Sequence, residues 1–362
     1  METILGSLYD IPLLGVLFQF LGYTVQVLPR ISPIILGLAA PIALGSLCGI
    51  MNERSGIVNI GIEGMMLGAA FTGFLAAALV AQAIPAERSD IFGATPALLV
   101  GLVVAVATGM LLSALHAWLS ISIRADQIIS GTIINIAALG LTGYLNRLVI
   151  TPNPRLGAGT FRSWNPPKEL TDLPVVGWVL DMFLDQGPIA MSVIVLVVIL
   201  QVLLFRSRWG LRTRAVGEHP KAADTVGINV LRLRYRNVIV GGAFAGLAGA
   251  YLTLEAISSF QNGMTAGRGF IALAAVIFGR WTPVGAFAGA LLFTASDGFG
   301  RAVQLRAPSG DFAELGSILS AIPDQFYGAL PYLVTIVVLA GVVGRSVPPA
   351  AVGQPYETEA RA

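Results

Sequence analysis

Arg206-Ser207-Arg208-Trp209-Gly210-Leu211-Arg212-Thr213-Arg214-Ala215-Val216-Gly217-Glu218-His219-Pro220-Lys221-Ala222-Ala223-Asp224 opens the stretch that decides this fold, and Arg232, Arg234 and Arg236 close it. Residues 206–236 hold eight of the chain's 22 Lys and Arg, opposed by Glu218 and Asp224, and they lie between two long apolar runs. In a chain that is 55% hydrophobic and 12% charged, such a stretch is expected in water. Basic loops between membrane segments stay on the cytoplasmic side during insertion, so this loop orients everything around it. Its interior, 217–224, reads as a docking element, against the simpler reading of a basic anchor.

Ordinary soluble domains carry roughly a quarter charged residues; a mean hydropathy of +0.78 excludes that class. The 42 glycines suit a polytopic helical bundle, because small residues let helix backbones approach closely in lipid. Cys48 stands alone in an apolar run, which excludes an intramolecular disulfide or a cysteine metal cluster. His116 and His219, the two histidines, are too far apart in sequence to suggest a zinc motif. The charge distribution gives no sign of nucleic-acid binding. Glu2 and Asp10 precede the first apolar run with no basic n-region, so that run is expected to remain as a helix rather than be cleaved.

About 20 apolar residues span a bilayer as a helix. Ten segments meet or approach that pattern: 11–29, 33–51, 61–83, 96–119, 128–150, 188–205, 237–257, 268–280, 283–303 and 325–344. The fold class expected is all-α, a polytopic membrane bundle forming one domain over 1–344, followed by a disordered tail, 345–362. With the basic loop inside, both termini fall on the cytoplasmic side, and 151–187 falls outside. Trp164 and Trp178 in that outer loop suit interfacial anchors, and 172–186 suits a short helix along the membrane surface. Segment 268–280 is too short for a straight crossing, and 52–60 is polar between apolar runs. Irregular backbone at membrane depth is tolerated where it is buried in protein or lines a wet cavity, so both places are expected to hold broken or re-entrant helices. Glu63-Gly64-Met65 aligns with Arg268-Gly269-Phe270, and the preceding segments run in opposite directions. That pattern suggests an inverted repeat of segments two to five and seven to ten, whose interface would hold the solute route.

Between Gly56 and Met66, three glycines surround Asn59 and Glu63. Two readings stand: these polar groups line the solute path, or they tie off freed backbone groups and pair with an arginine, Arg268 being the first partner to test. Gln261, Asn262 and Arg268 lie in the second glycine-rich break, which reads equally as path or as solvated outer loop. Asn135 and Asn146 suit interhelical hydrogen bonding, with Asn135 deeper and so also a path candidate. Asp297 and Arg301 suit an i, i+4 pair. No catalytic triad, acid pair or metal-ligand spacing stands out. A P-loop needs Lys followed by Ser or Thr, whereas Lys168 and Lys221 precede Glu169 and Ala222. Any ATP used in transport is hydrolysed by another polypeptide.

Three stretches carry a family resemblance: 55–66, 215–228 and Gly267-Arg268-Gly269-Phe270-Ile271-Ala272-Leu273-Ala274-Ala275-Val276-Ile277-Phe278-Gly279-Arg280-Trp281. The chain resembles the membrane permease of a bacterial ABC importer of the branched-chain amino acid, simple-sugar and nucleoside group, and most of all the nucleoside branch linked to basic membrane lipoproteins. The resemblance implies a type II importer fold in the cytoplasmic (inner) membrane. Its implied partners are ABC ATPase subunits using ATP and Mg, a second and different permease chain, an extracytoplasmic solute-binding lipoprotein and membrane lipid. No cofactor is implied for this chain itself. In the 215–228 element, Gly217, Glu218, His219, Pro220, Ala222, Ala223 and Gly227 would couple to the ATPase. His219 stands where relatives commonly have Asn.

The implied mechanism needs no covalent step here. Closure of the ATPase pair moves 215–228, and the two repeats rock to expose the path alternately. A ribose-like sugar permease is the alternative within the group. An ion-coupled secondary transporter is the rival from another class, but it would place more acids or histidines in the membrane and leaves 215–228 unexplained. An integral membrane enzyme lacks a catalytic cluster.

Overall fold

Proline 33 falls within the first helix, α1 (Leu14–Glu53), and does not end it. Pro33 has no N–H to give the carbonyl of Pro29, but the Ser32 hydroxyl donates to that oxygen at 3.1 Å. The expected segments 11–29 and 33–51 are therefore one continuous helix of 40 residues, about 60 Å long at 1.5 Å per residue. The computed structural model describes residues 14–84, 92–171, 173, 176–305, 308–323, 326, 327, 329, 330, 333, 336, 337 and 346–357. Most of the expected segment 325–344 lies outside them.

Helices follow in order: α2 (Ile62–Ala83), α3 (Pro96–Ala117), α4 (Gln127–Leu145), α5 (Lys168–Thr171), α6 (Gly177–Leu184), α7 (Pro188–Arg206), α8 (Arg208–Glu218), α9 (Pro220–Thr225), α10 (Val230–Ala250), α11 (Arg268–Phe278), α12 (Pro283–Leu305) and α13 (Ala313–Ser320). The described residues contain no β-strand. Side-chain caps set several starts: Thr95 accepts from the Leu98 N–H ahead of Pro96, Asp126 from Ile128 and Ile129, Ser207 from Gly210 and Asn229 from Arg232. π-Helical turns extend α3, α4 and α10, at Trp118–Ser122, Asn146–Ile150 and Tyr251–Ala256. Among the described residues, six stretches are long and apolar enough to cross a membrane: Gly15–Glu53, Ile62–Ala83, Pro96–Ser122, Gln127–Ile150, Pro188–Arg206 and Val230–Ala256. This is a multi-pass membrane bundle.

The larger of two compact units comprises Ala39–Trp164, Gly187–Ala290 and Arg345–Ala362. Its centre is the packing of α2, α3 and α10 on one another. Gly109 of α3 lies against the backbone of Gly242 and Gly246 in α10, where a side chain on any of the three would strike main chain. Such backbone-to-backbone crossings suit lipid, where helices gain from close contact rather than from escaping water. Along α1, Gly45 and Gly49 make room for the side chains of Ala272 and Val276 of α11. The segment after α4 is stitched on by Phe161 N–H to Leu254 O at 2.8 Å and Arg162 N–H to Phe92 O at 2.8 Å.

The smaller unit comprises Met1–Leu38, Asn165–Gln186 and Leu291–Gly344. Tyr23, Val303, Leu315 and Tyr327 form its core. Gln19 ties α1 to α13 by accepting the Leu315 N–H at 3.1 Å. Helix α6 falls inside the 172–186 stretch read as a surface helix.

Candidate translocation core and coupling surface

Both glycine-rich breaks form, and both are in the larger unit. Helix α1 stops at Glu53, residues 54–61 run irregularly, and α2 begins at Ile62. After the π turn of α10, residues 257–267 are again irregular, and α11 begins at Arg268 behind Gly267, whose φ of 81° favours glycine.

The region around the first break is bonded to both ends of α11. At one, the Glu63 carboxylate accepts the N–H of Gly267 at 2.8 Å and of Gly269 at 2.6 Å. It thereby caps α11 from a distant part of the chain, placing negative charge where a helix N-terminus favours it. At the other, the Trp281 indole N–H donates to the Glu53 carboxylate, and Arg54 donates to the carbonyls of Trp281 at 2.9 Å and Arg280 at 3.2 Å. Of the roles expected for Glu63, the geometry has the tying-off of freed backbone groups and lacks the pairing with Arg268, whose guanidinium turns back to the carbonyls of Met264 at 2.9 Å and Thr265 at 3.2 Å.

Asn135 of α4 clamps the first break. Its Oδ1 accepts the Gly64 N–H at 2.7 Å, and its Nδ2 donates to the Ile60 carbonyl at 3.0 Å. Asn59 is fully buried and accepts the Gly61 N–H at 3.0 Å. Backbone groups without partners at membrane depth cost several kcal/mol each, so these side chains restore what the break removes. Gln261 and Asn262 are exposed, and Asn262 accepts from Asn146 at 2.9 Å, so Asn146 bonds to the second break and not to a neighbouring helix as expected. Asp297 and Arg301 pair at 3.1 Å.

Several participants escaped sequence reasoning. His116 is fully buried, with one ring nitrogen 2.9 Å from the Val58 carbonyl and the other 3.0 Å from the Ser130 hydroxyl. Gln127 accepts the Val58 N–H at 2.7 Å. Glu255 repeats the device of Glu63: it accepts the N–H groups of Ile189 at 2.7 Å and Ala190 at 3.0 Å and caps α7. An acid within an apolar run was the available signal for Glu255.

On the basic loop, α8 and α9 meet at His219. Pro220 occupies the first turn of α9, and the His219 side chain makes no capping bond. Val216 and Ala223 face inward and pack with Val230, Leu233 and Tyr356. Glu218, His219, Ala222 and Gly227 face solvent. Gly227, with φ of 82°, turns the chain after α9. Val226 is 74% exposed and Leu211 is 62% exposed, apolar side chains on an otherwise charged surface. Gly217 sits against the Arg54 backbone, which leaves no room for a side chain. Phe205 lies beneath both Arg54 and Arg214, at 5.6 and 5.1 Å from ring centre to guanidinium. Burial lowers the Arg54 pKa from its ordinary value, and the charge of Glu218 opposes that shift.

Two expectations for this region need correction. Arg234, read as part of a wholly solvated stretch, is 1% exposed, and its guanidinium donates to the carbonyls of Ser55 at 3.0 Å and Gln354 at 3.1 Å. Residues 346–357 of the tail, expected to be disordered, pack onto α8 and the first break through backbone bonds that composition does not reveal. Residues 358–362 lie outside the described part.

Comparison with known proteins agrees with this architecture. The chain is 39% identical over 337 residues to the guanosine ABC transporter permease protein NupQ of Bacillus subtilis (strain 168), covering 92% of this chain and 98% of that protein. It is 35% identical over 326 residues to the nucleoside ABC transporter permease protein NupC of Lactococcus lactis, covering 88% and 93%. A putative glucose ABC transporter permease protein, TsgC13 of Haloferax volcanii, is 35% identical over 322 residues, covering 85% and 90%. Residues 33–344 match the family described as branched-chain amino acid transport system / permease component. The chain belongs to that permease family.

Proposed function

We propose that this chain is the nucleoside-conducting permease subunit of an ATP-driven importer in the bacterial inner membrane, coupled to separate ATPase subunits. The observation that carries the reading is near full-length similarity to a guanosine and a nucleoside ABC permease. The exposed face of α8 and α9 supports it: Glu218, His219, Ala222 and Gly227 are presented outward while Val216 and Ala223 anchor the underside. ATPase closure would push on this face, and Gly217 would pass the motion to Arg54 and the first break.

In the same proposal, the route runs beside the two breaks, with Asn59, Glu63, Asn135, Gln261, Asn262 and Arg268 shaping it. The geometry favours a holding role for Asn59, Glu63 and Asn135, because their polar atoms are engaged by backbone. Residues 33–150 and 237–344 would be the inverted repeats, each with a short break ahead of its second helix. The C-terminal tail, bonded to α8, would share the cytoplasmic side. A second permease chain, different from this one, and an extracytoplasmic solute-binding lipoprotein complete the assembly, with most specificity in the latter.

A simple-sugar substrate is the second reading, favoured by the likeness to a putative glucose permease. Uptake of labelled guanosine, uridine, ribose and glucose by cells with and without this chain separates the two. ATP-dependent loss of guanosine and uridine uptake on deletion is expected. Loss confined to ribose or glucose would move the assignment to sugars, and loss that survives ATP depletion would refute ATP coupling.

A further inference from the structure

We propose that residues 349–357 form a strap that links the α8–α9 docking face to the first break, which makes the C-terminal tail part of the coupling machinery. Over eight residues the tail engages four separate parts of the larger unit. The Ala350 N–H donates to the Glu218 carboxylate at 3.1 Å, and the Ala351 N–H donates to the Gly217 carbonyl at 2.9 Å. Two residues further, the Gly353 N–H donates to the Gly56 carbonyl at 3.1 Å. Tyr356, 6% exposed, then fills the space under Val216 and Ala223, and Glu357 pairs with Arg124 at 2.9 Å.

Arg234 makes the strap structural rather than incidental. Its buried guanidinium reaches Ser55 of the break through Nε and Gln354 of the tail through Nη1. A buried cation needs its hydrogen-bond partners, so undocking the tail would strip one from Arg234. Ordering this segment costs backbone entropy, which the backbone bonds and the Tyr356 burial must offset. The geometry also gives direction to the link. Two bonds hold the docking face, the next holds the break, and a single buried arginine ties break and tail together. A displacement of Gly217 and Glu218 is therefore delivered to Ser55 and Gly56 through hydrogen bonds as well as through the contact of Gly217 with Arg54.

The inference rests on the ATP-coupled reading, and its test has one arm that does not. Wild type, Tyr356→Ala, Tyr356→Phe and a chain ending at Val347 are assembled with the partner permease and ATPase, and uptake per ATP hydrolysed is measured at equal membrane abundance. Tyr356→Ala and the shortened chain are expected to lower that ratio about tenfold, equivalent to ~1.4 kcal/mol, while hydrolysis continues. Tyr356→Phe, which keeps the apolar plug, is expected to restore it. In the second arm, amide exchange over 54–61 is measured on the purified proteins. It is expected to speed up roughly tenfold in Tyr356→Ala, because the break loses its outer tether. An unchanged uptake-to-ATP ratio, or unchanged exchange over 54–61, overturns the strap. A wild-type assembly that moves no nucleoside with ATP fails the functional reading alone, and the exchange arm then decides the strap by itself.

Discussion

Replacing Glu63 with Gln separates a backbone cap from an ion pair. The carboxylate accepts two N–H groups, at 2.8 and 2.6 Å. Hydrogen bonds to charged groups contribute about 1.5–3 kcal/mol each, against about 0.5–1.5 for neutral ones. A Gln side chain offers one carbonyl oxygen and turns its NH2 toward the other donor. One charged bond is lost and the other becomes neutral, while the charge at the α11 N-terminus, worth ~0.3–2 kcal/mol, disappears. The expected cost is about 3–6 kcal/mol. Amide exchange in the peptide spanning 264–272 should quicken at least about 100-fold, using about 1.4 kcal/mol per factor of ten. Arg268→Gln should cost less, since its guanidinium donates only to two carbonyls of its own loop, three and four residues back. The double variant should be additive within about 0.5 kcal/mol. Wild-type exchange in Glu63→Gln would refute the cap, and a coupling of about 1 kcal/mol or more between 63 and 268 would restore the ion pair.

Other substitutions probe the remaining joints. Asn135→Leu leaves the Gly64 N–H and Ile60 carbonyl without partners and should destabilise the purified protein by about 2–4 kcal/mol in denaturant titration; an unchanged midpoint would mean that the clamp is dispensable. Gly109→Val drives a side chain into the backbone of α10 and should sharply reduce the folded, monodisperse fraction on size exclusion, whereas Gly140→Val, at an open site, should not. Ala223→Pro removes the N–H that meets the His219 carbonyl at 3.0 Å and breaks α9 at a cost of about 3 kcal/mol. Uptake should fall while membrane abundance holds, and normal ATP-driven uptake would count against α9 as the docking element.

Local polarity revealed the breaks, while their partners needed tertiary contacts. Polar 52–60 and glycine-rich 261–269 announced themselves inside apolar surroundings, and the structure is irregular over 54–61 and 257–267. Proximity of Glu63 to residue 268 followed from the repeat-like alignment. That the backbone N–H groups receive the carboxylate depends on where α11 starts, which composition does not state. The separation expected between segments 11–29 and 33–51 is absent: the helix runs on, and one hydroxyl, Ser32, satisfies the carbonyl freed by Pro33. Arg234 looked like any other cation of the basic loop, since burial is decided by the tail 120 positions away in sequence. The tail itself, with three prolines and four alanines over 345–362, offers little side-chain signal. Its order comes from main-chain bonds together with Tyr356 and Glu357, whose partners are distant in sequence.

The most direct measurement is guanosine accumulation in proteoliposomes containing this chain, its partner permease and the ATPase, with ATP on the ATPase side and a guanosine-loaded binding protein on the other. The account predicts transport that requires ATP hydrolysis, requires this chain, and collapses in Ala223→Pro without loss of assembly. Guanosine movement that continues without ATP, or that follows an ion gradient instead, would contradict it.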